Sequence, residues 1–151
     1  MQHIGVAVTN MDRSLKLYRQ LFGMDIPFFD SVQEAPLMNS HTRGETILKR
    51  ASMVLNLQGG CAFEVLQPTS FEPKPASWVI GLGDLGIAVV QMKTKDIVRM
   101  HKHALQFDDV TCDDELTTTP WGAPTFFLND PRWTKSTTWS PSEGLSSTSG
   151  W

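Results

Sequence analysis

One short pattern occurs twice in the chain, as HIGVAV at residues 3–8 and as DLGIAV at residues 84–89. In both copies branched apolar side chains alternate with a polar or small residue, which is typical of a strand with one face packed under a helix. Each copy is followed by an amphipathic stretch typical of a helix and then by further strand-like segments. The repeat of about 81 residues therefore predicts two β-α-β-β-β modules.

The boundaries of the modules follow from composition. With 151 residues and 40% hydrophobic side chains, the chain fits one compact domain with a real core. Residues 68–77 carry three prolines and show no periodicity, which indicates a linker. We expect a single domain over residues 1–139, with module one at about 3–68, the linker at about 69–82 and module two at about 83–139, and a Ser/Gly-rich tail at 140–151.

The charge and the apolar runs exclude several classes of partner. A formal net charge of −3 argues against nucleic acid, and no apolar run reaches the roughly 20 residues of a membrane span. The first residues read as a strand rather than as a leader, so we expect a cytoplasmic protein. The two cysteines, Cys61 and Cys112, are expected to be plain thiols, and the acidic neighbours of Cys112 should raise its pKa.

Each module has a local helix signal. Asn10 or Asp12 can cap a helix that ends at Gly23. The second helix is expected from about Lys93 to Phe107, and its inner side should carry five residues, namely Ile97, Val98, His101, Ala104 and Leu105.

The two copies of the repeated pattern also predict a lined hollow. His3 shares a strand face with Gly5 and Ala7, and by the repeat Asp84 occupies the same place in the second copy, where Val89 would face the helix. Small residues cannot fill a core, so this face should border a cavity. Glu64 lies on an inward strand face as well, where a carboxylate is costly unless it is paired or bound to a cation. His3, Glu64 and Asp84 together would suit a divalent metal.

Simpler explanations exist for each of these three residues. His3 would be a partly exposed residue at the end of a strand, and Asp84, which follows a glycine, would belong to a turn. Glu64 would form a salt bridge with Arg50 across a hairpin. Their placement at matching points of a repeat favours a shared site.

Other aromatic and histidine residues are secondary candidates. Trp121 and Phe126 either line the cavity as substrate contacts or belong to the core, and His41 lies in a loop that either closes the cavity mouth or faces solvent. His101 and His103 are two residues apart on a helix and face different directions, so they should not form a metal site; we expect His101 to pack against the sheet.

At four segments the chain resembles the vicinal oxygen chelate superfamily, which holds glyoxalase I, extradiol dioxygenases, fosfomycin-resistance enzymes and bleomycin-binding proteins. The segments are HIGVAVTNMDRSLKLYRQLFGM, FEVLQP, GDLGIAVV and PWGAPTFFLNDP. The resemblance implies an α+β fold in which two βαβββ modules form a curved, U-shaped mixed sheet around a cavity. It also implies a homodimer, since modules of this family commonly pair across chains.

The resemblance further implies metal ligands on the first and last strands of each module. Carried onto this sequence, these positions are His3 and Glu64 in module one, and Asp84 and a residue near Thr137 in module two. Aspartate and threonine depart from the family's histidine and glutamate. A set of one histidine, one glutamate and one aspartate would suit Mn²⁺ or Mg²⁺ better than Zn²⁺, Ni²⁺ or Fe²⁺. Alternatively, the site has lost its metal altogether.

Two functions follow as hypotheses. The first is a divalent-metal-dependent lyase, isomerase or dioxygenase acting on a small molecule with vicinal oxygens, in which Glu64 is both a metal ligand and the catalytic proton shuttle. The alternative is a metal-free protein that binds a small antibiotic-type molecule, as the bleomycin-resistance relatives do. A degenerate member without a ligand is a third reading.

Overall fold

The computed structural model describes residues 2–58, 61–72 and 89–130, and the backbone of 136–141. The chain divides near residue 80 into two compact units. The first holds β1 (His3–Ala7), α1 (Met11–Phe22), β2 (Ile26–Glu34), a short 3-10 helix (Pro36–His41), β3 (Leu48–Leu55) and β4 (Ala62–Pro68). The second holds β5 (Val89–Thr94), α2 (Ile97–Ala104), β6 (Thr111–Cys112), β7 (Thr117–Thr118), β8 (Pro124–Asn129) and β9 (Ser136–Pro141). We call these the first and the second module.

Helix α1 begins and ends as its sequence predicts. The side chain of Asn10 accepts a hydrogen bond from the backbone N–H of Arg13, and Gly23 ends the helix with a left-handed φ of 64°. A left-handed residue is strained unless it is glycine, so Gly23 fixes the end of the helix. Neither α1 nor any other helix of the described residues is long and apolar enough to cross a membrane.

The sheet of the first module has the strand order β1-β4-β3-β2. The first strand runs parallel to the last, and the remaining neighbours are antiparallel. Helix α1 covers one face of this sheet, where the rings of Tyr18 and Phe22 contact the ring of Phe63. Val6 and Val65 are both fully buried on the same face, so the core of the module lies between α1 and the sheet.

The second module repeats this arrangement. Its strand order along the main path is β5-β9-β8-β6, with β5 parallel to β9 and the other neighbours antiparallel. The ring of His101 on α2 packs against Phe126 on β8 with ring centres 4.9 Å apart. The predicted α+β class, built from two equivalent β-α-β-β-β modules, is confirmed.

The predicted start of α2 is wrong. Lys93 and Thr94 still belong to β5, and the helix begins at Ile97 after Asp96, whose side chain accepts a hydrogen bond from the backbone N–H of Arg99. An N-cap residue has extended backbone angles, so the helix cannot continue back through Asp96. Ile97, His101 and Ala104 are buried as expected, whereas the predicted inner residues Val98 and Leu105 are about half exposed.

The offset between the modules also differs from the prediction. The helix caps Asn10 and Asp96 make equivalent hydrogen bonds, and they are 86 residues apart rather than about 81. The predicted offset is wrong by an odd number of residues. Because strand side chains alternate between the two faces, such an error assigns every side chain of the strand to the opposite face. On β9, Trp139 is in register with two residues, Met92 of β5 and Phe126 of β8. Residues in register share a sheet face, and Phe126 faces α2. By alternation Met92 faces α2 and Val89 faces away, so the predicted face of Val89 is wrong.

The end of α1 gives a test of local packing. A Cβ atom at Gly23 would lie 2.8 Å from Nδ2 of Asn56, which donates to the carbonyl of Phe22. We expect Gly23→Ala to lower the free energy of unfolding by about 2 kcal/mol, because it adds this clash to the strain of a left-handed residue. Gly44→Ala is the matched control, since Gly44 has a φ of 86° and no atom within 4 Å of the added Cβ. Urea unfolding of both variants measures the difference, and equal losses would contradict a role for the clash.

Candidate functional site

The pairing of β1 with β4 brings two of the predicted site residues together. Gly5 lies in register with Glu64 and His3 with Ala62, so the side chains of His3 and Glu64 are neighbours on one sheet face. Nε2 of His3 and Oε2 of Glu64 are 3.3 Å apart. The two side chains are 43% and 22% exposed, which leaves both accessible to a ligand.

These two side chains lie on the face of the sheet that α1 does not cover. Phe63 contacts α1, so its neighbour Glu64 points the other way. On the β1 side of Glu64 the residues Gly5 and Ala7 are exposed. On the β3 side the residue in register with Glu64 is Met53, which is only 8% exposed. Glu64 therefore has an open side over β1 and a buried apolar side over β3.

The alternative pairing of Glu64 with Arg50 is wrong. Arg50 lies on the helix-covered face and donates to Asp12 at 2.7 Å and, through two nitrogens, to Asp30 at 2.8 Å. The hydrogen bond from Arg50 is the main cause that lowers the pKa of Asp30, and the two carboxylates raise the pKa of Arg50. This cluster, which the sequence did not predict, joins the start of α1 to β2 and β3.

The structure separates the secondary candidates. Trp121 is 65% exposed in the turn before β8, and His41 is exposed at the end of the 3-10 helix, so both can be reached by a ligand. Phe126 is fully buried under α2 and packs in the core, which is the alternative that the sequence left open. His101 packs against the sheet as expected, with Nε2 located 2.7 Å from the carbonyl oxygen of Asp113.

The positions in the second module that correspond to His3 and Glu64 carry other residues. At the observed offset of 86 residues, Val89 corresponds to His3 and Gln91 to Gly5. Thr138 lies in register with Gln91, as Glu64 does with Gly5, so the residue near Thr137 that corresponds to Glu64 is Thr138. The predicted ligand Asp84 lies outside the described residues.

Cys112 has the character of an unreactive thiol. Burial is the largest cause that raises its pKa, to about 11, and the neighbouring Asp113 and Asp114 add to the effect. The predicted direction is confirmed. Cys61 and Cys112 are both free thiols.

The family model of the Glyoxalase/Bleomycin resistance protein/Dioxygenase superfamily matches residues 1–132. The chain belongs to this superfamily. The match covers the first module and the second module as far as residue 132, and it confirms the family resemblance of the sequence. Among curated proteins, no sequence matches the chain.

Solved structures of the superfamily share the fold at low sequence identity. A glyoxalase family protein from Bacillus cereus has a TM-score of 0.70 at 11% identity, with 94% of each chain covered. A superfamily member from Sphaerobacter thermophilus has a TM-score of 0.63 at 18% identity, covering 94% of this chain and 96% of that one. The trypanothione-dependent glyoxalase I of Leishmania major has a TM-score of 0.58 at 15% identity, covering 93% and 85%. At these identities the likeness concerns the fold alone.

The divalent metal that superfamily membership suggests can be tested against the donor atoms. Two ligands of one tetrahedral ion lie roughly 3.4 Å apart when each bond is about 2.1 Å, so the 3.3 Å between His3 and Glu64 suits a shared ion. Val89 offers no donor, and Thr138 offers only a hydroxyl. Across the described ranges, no group of three His, Cys, Asp or Glu residues could hold a metal. The described residues therefore supply half of a ligand set and do not complete one.

The cluster around Arg50 predicts a dependence of stability on pH. Because the pKa of Asp30 is lowered below 3.8, its contribution to stability is complete above about pH 4 and is lost as pH falls through the lowered pKa. We expect Asp30→Asn to cost about 0.5–1 kcal/mol at pH 6, a cost that shrinks toward pH 3. Urea unfolding across this range, with the exposed Asp25→Asn as control, measures it. A cost that does not change with pH would contradict the ion pair.

Proposed function

We propose that the chain binds a small molecule on the open face of the first module, with Glu64 as its charged contact. The observation that carries this proposal is the contact between His3 and Glu64 on an accessible sheet face beside Gly5 and Ala7. A carboxylate on a sheet face bordered by apolar side chains is costly unless it has partners. His3 is one partner, and a ligand would be the second.

The geometry of Glu64 leaves acceptor sites for that ligand. A carboxylate accepts hydrogen bonds on both of its oxygens, and the contact with His3 involves Oε2. The contact with the ring of His3 restricts the rotation of the Glu64 side chain. A carboxylate that is already oriented loses less conformational entropy when a ligand binds.

The surroundings of Glu64 indicate the chemical class of the ligand. A carboxylate prefers a cationic or strongly donating group, and a charge-assisted hydrogen bond is the strongest contact available here. The neighbours on the same face, Leu66 and Met53, are apolar. A molecule that combines an ammonium group with an apolar or aromatic body fits both features. In the first module the exposed His41 is a candidate for a further contact, and the exposed Trp121 stays a candidate ligand contact of the second module.

The contact between His3 and Glu64 also favours a second candidate, the divalent-metal-dependent enzyme expected from the sequence. Nε2 of His3 and Oε2 of Glu64 are as far apart as two ligand atoms of one metal ion. In that case Mn²⁺, Mg²⁺, Ni²⁺, Zn²⁺ or Fe²⁺ would polarise vicinal oxygens of a substrate, and Asp84 would have to supply a further ligand. We rank this candidate second because Val89 and Thr138, which correspond to His3 and Glu64 in the second module, are poor metal ligands.

Three expectations about the location and partners of the protein stay predictions. Superfamily membership and the resemblance support a homodimer, and the composition supports a cytoplasmic location without a nucleic-acid partner. Analytical ultracentrifugation of the purified chain tests the dimer.

The binding proposal predicts a charge preference among matched probes. We expect 2-naphthylmethylammonium to bind more tightly than 2-naphthylmethanol, and 2-naphthoate to bind least, because only the first probe complements Glu64. Glu64→Gln should weaken the cationic probe by about tenfold, and Glu45→Gln, a matched change at an exposed site, should not. Isothermal titration calorimetry measures each affinity. Equal affinity of the three probes, or an unchanged affinity in Glu64→Gln, would contradict the proposal.

Metal titration separates the two candidate functions. We expect EDTA-treated protein to retain binding of the cationic probe and to show no saturable rise in Tm with Mn²⁺, Mg²⁺, Ni²⁺, Zn²⁺ or Fe²⁺. A specific ion would instead stabilise the fold by roughly 2.7 kcal/mol at a hundredfold excess over its Kd. One ion per chain, lost in both His3→Ala and Glu64→Gln, would overturn the metal-free proposal and support the enzyme. The same titration of Asp84→Asn would then test the predicted third ligand.

A further inference from the structure

We propose that the missing side chain at Gly5 is the opening through which the ligand reaches Glu64, so that residue 5 sets the size of ligand that the site accepts. This inference rests on the proposed function and adds a specificity-determining residue to it. Gly5 lies on β1 directly in register with Glu64 on β4. Neighbouring strands are about 4.8 Å apart, so a side chain at residue 5 would stand beside the carboxylate.

The backbone does not require a glycine at this position. Gly5 does not adopt a positive φ, in contrast to Gly23, Gly44 and Gly122. A Cβ atom placed on Gly5 would meet only Cδ1 of Leu66, at 3.9 Å, which is an ordinary van der Waals contact. A glycine in the interior of a strand weakens the strand, and it commonly marks a place where a ligand or another backbone approaches closely.

The second module shows that the fold accepts a long side chain at the same position. Gln91 corresponds to Gly5 by the offset of the helix caps, and it pairs with Thr138 as Gly5 pairs with Glu64. The module with a carboxylate on its last strand therefore has a glycine on its first strand. The module without the carboxylate has a glutamine there. This difference argues that the glycine serves the carboxylate rather than the sheet.

The exposure of the neighbouring residues gives the direction of approach. Gly5 and Ala7 are exposed, whereas Met53, on the opposite side of Glu64, is only 8% exposed. The open route to the carboxylate therefore passes over β1. A branched side chain at residue 5 would narrow this route next to Glu64 without touching Glu64 itself.

The test compares Gly5→Ala and Gly5→Val with wild type, using 2-naphthylmethylammonium and the smaller methylammonium as probes. We expect Gly5→Val to weaken the naphthyl probe by about tenfold or more, with Gly5→Ala intermediate, while methylammonium changes by less than about threefold. The Tm of Gly5→Ala should equal or exceed that of wild type, because alanine suits a strand better than glycine. Ser31→Val, which adds a branched side chain at an exposed position of β2 two strands away from β4, is the control and should keep naphthyl binding within about threefold.

Each contrary result has a separate meaning. Wild-type affinity for the naphthyl probe in both Gly5 variants would overturn this inference, while loss of binding in Glu64→Gln would still support the proposed function. A clear drop in Tm for Gly5→Ala would also overturn it, since the glycine would then serve the fold. An equal loss of affinity for both probes would contradict the proposal that residue 5 limits the size of the ligand. Absence of probe binding by wild type would overturn the proposed function first, and this inference with it.

Discussion

The parallel pairing of β1 with β4 is the constraint on which the first module and its candidate site depend. It joins the first strand of the module to the last, and its register sets Gly5 opposite Glu64 and places His3 within 3.3 Å of that carboxylate. Helix α1 buries one face of the resulting sheet through its contacts with Phe63. Because strand side chains alternate, the same packing that forms the core directs Glu64 to the uncovered face. The register of β1 with β4 thus determines both the core of the first module and the position of the candidate site.

Local signals made part of this predictable from the sequence. The caps Asn10 and Gly23 act within one turn of helix, so their roles could be read from neighbouring residues. The alternation in β1 and β4 likewise placed His3 and Glu64 on the strand faces that do not pack against the helix. The correspondence between residues of the two modules was predicted wrongly, because a strand of alternating apolar and small residues can be aligned with another such strand at several offsets. The N-cap Asp96 fixes the start of α2, because its side chain accepts a hydrogen bond from the backbone N–H of Arg99. An alignment of the two modules on their N-cap residues would have given the offset of 86.

Contacts between distant parts of the chain account for the remaining failures. Arg50 binds carboxylates that are 38 and 20 residues away in sequence, and its choice of Asp12 and Asp30 over Glu64 depends on which face of β3 it occupies. A hairpin pattern shows that Arg50 and Glu64 lie on adjacent strands but does not fix their faces until the register is known. Phe126 illustrates the same limit, because an aromatic residue in a strand suits a cavity and a core equally well until its contact with His101 is seen.

The difference between the two modules bears on how a duplicated fold holds a site. The modules share strand order, cap geometry and the parallel pairing of first and last strands, yet His3, Gly5 and Glu64 correspond to Val89, Gln91 and Thr138. A partly buried carboxylate has to be compensated by a partner, whereas valine and threonine need none. The first module has its compensating partner in His3, on the neighbouring strand of the same sheet. A site built from one sheet can therefore hold a carboxylate although the equivalent positions of the other module are neutral, and the proposed ligand beside Gly5 would depend on the register of β1 with β4.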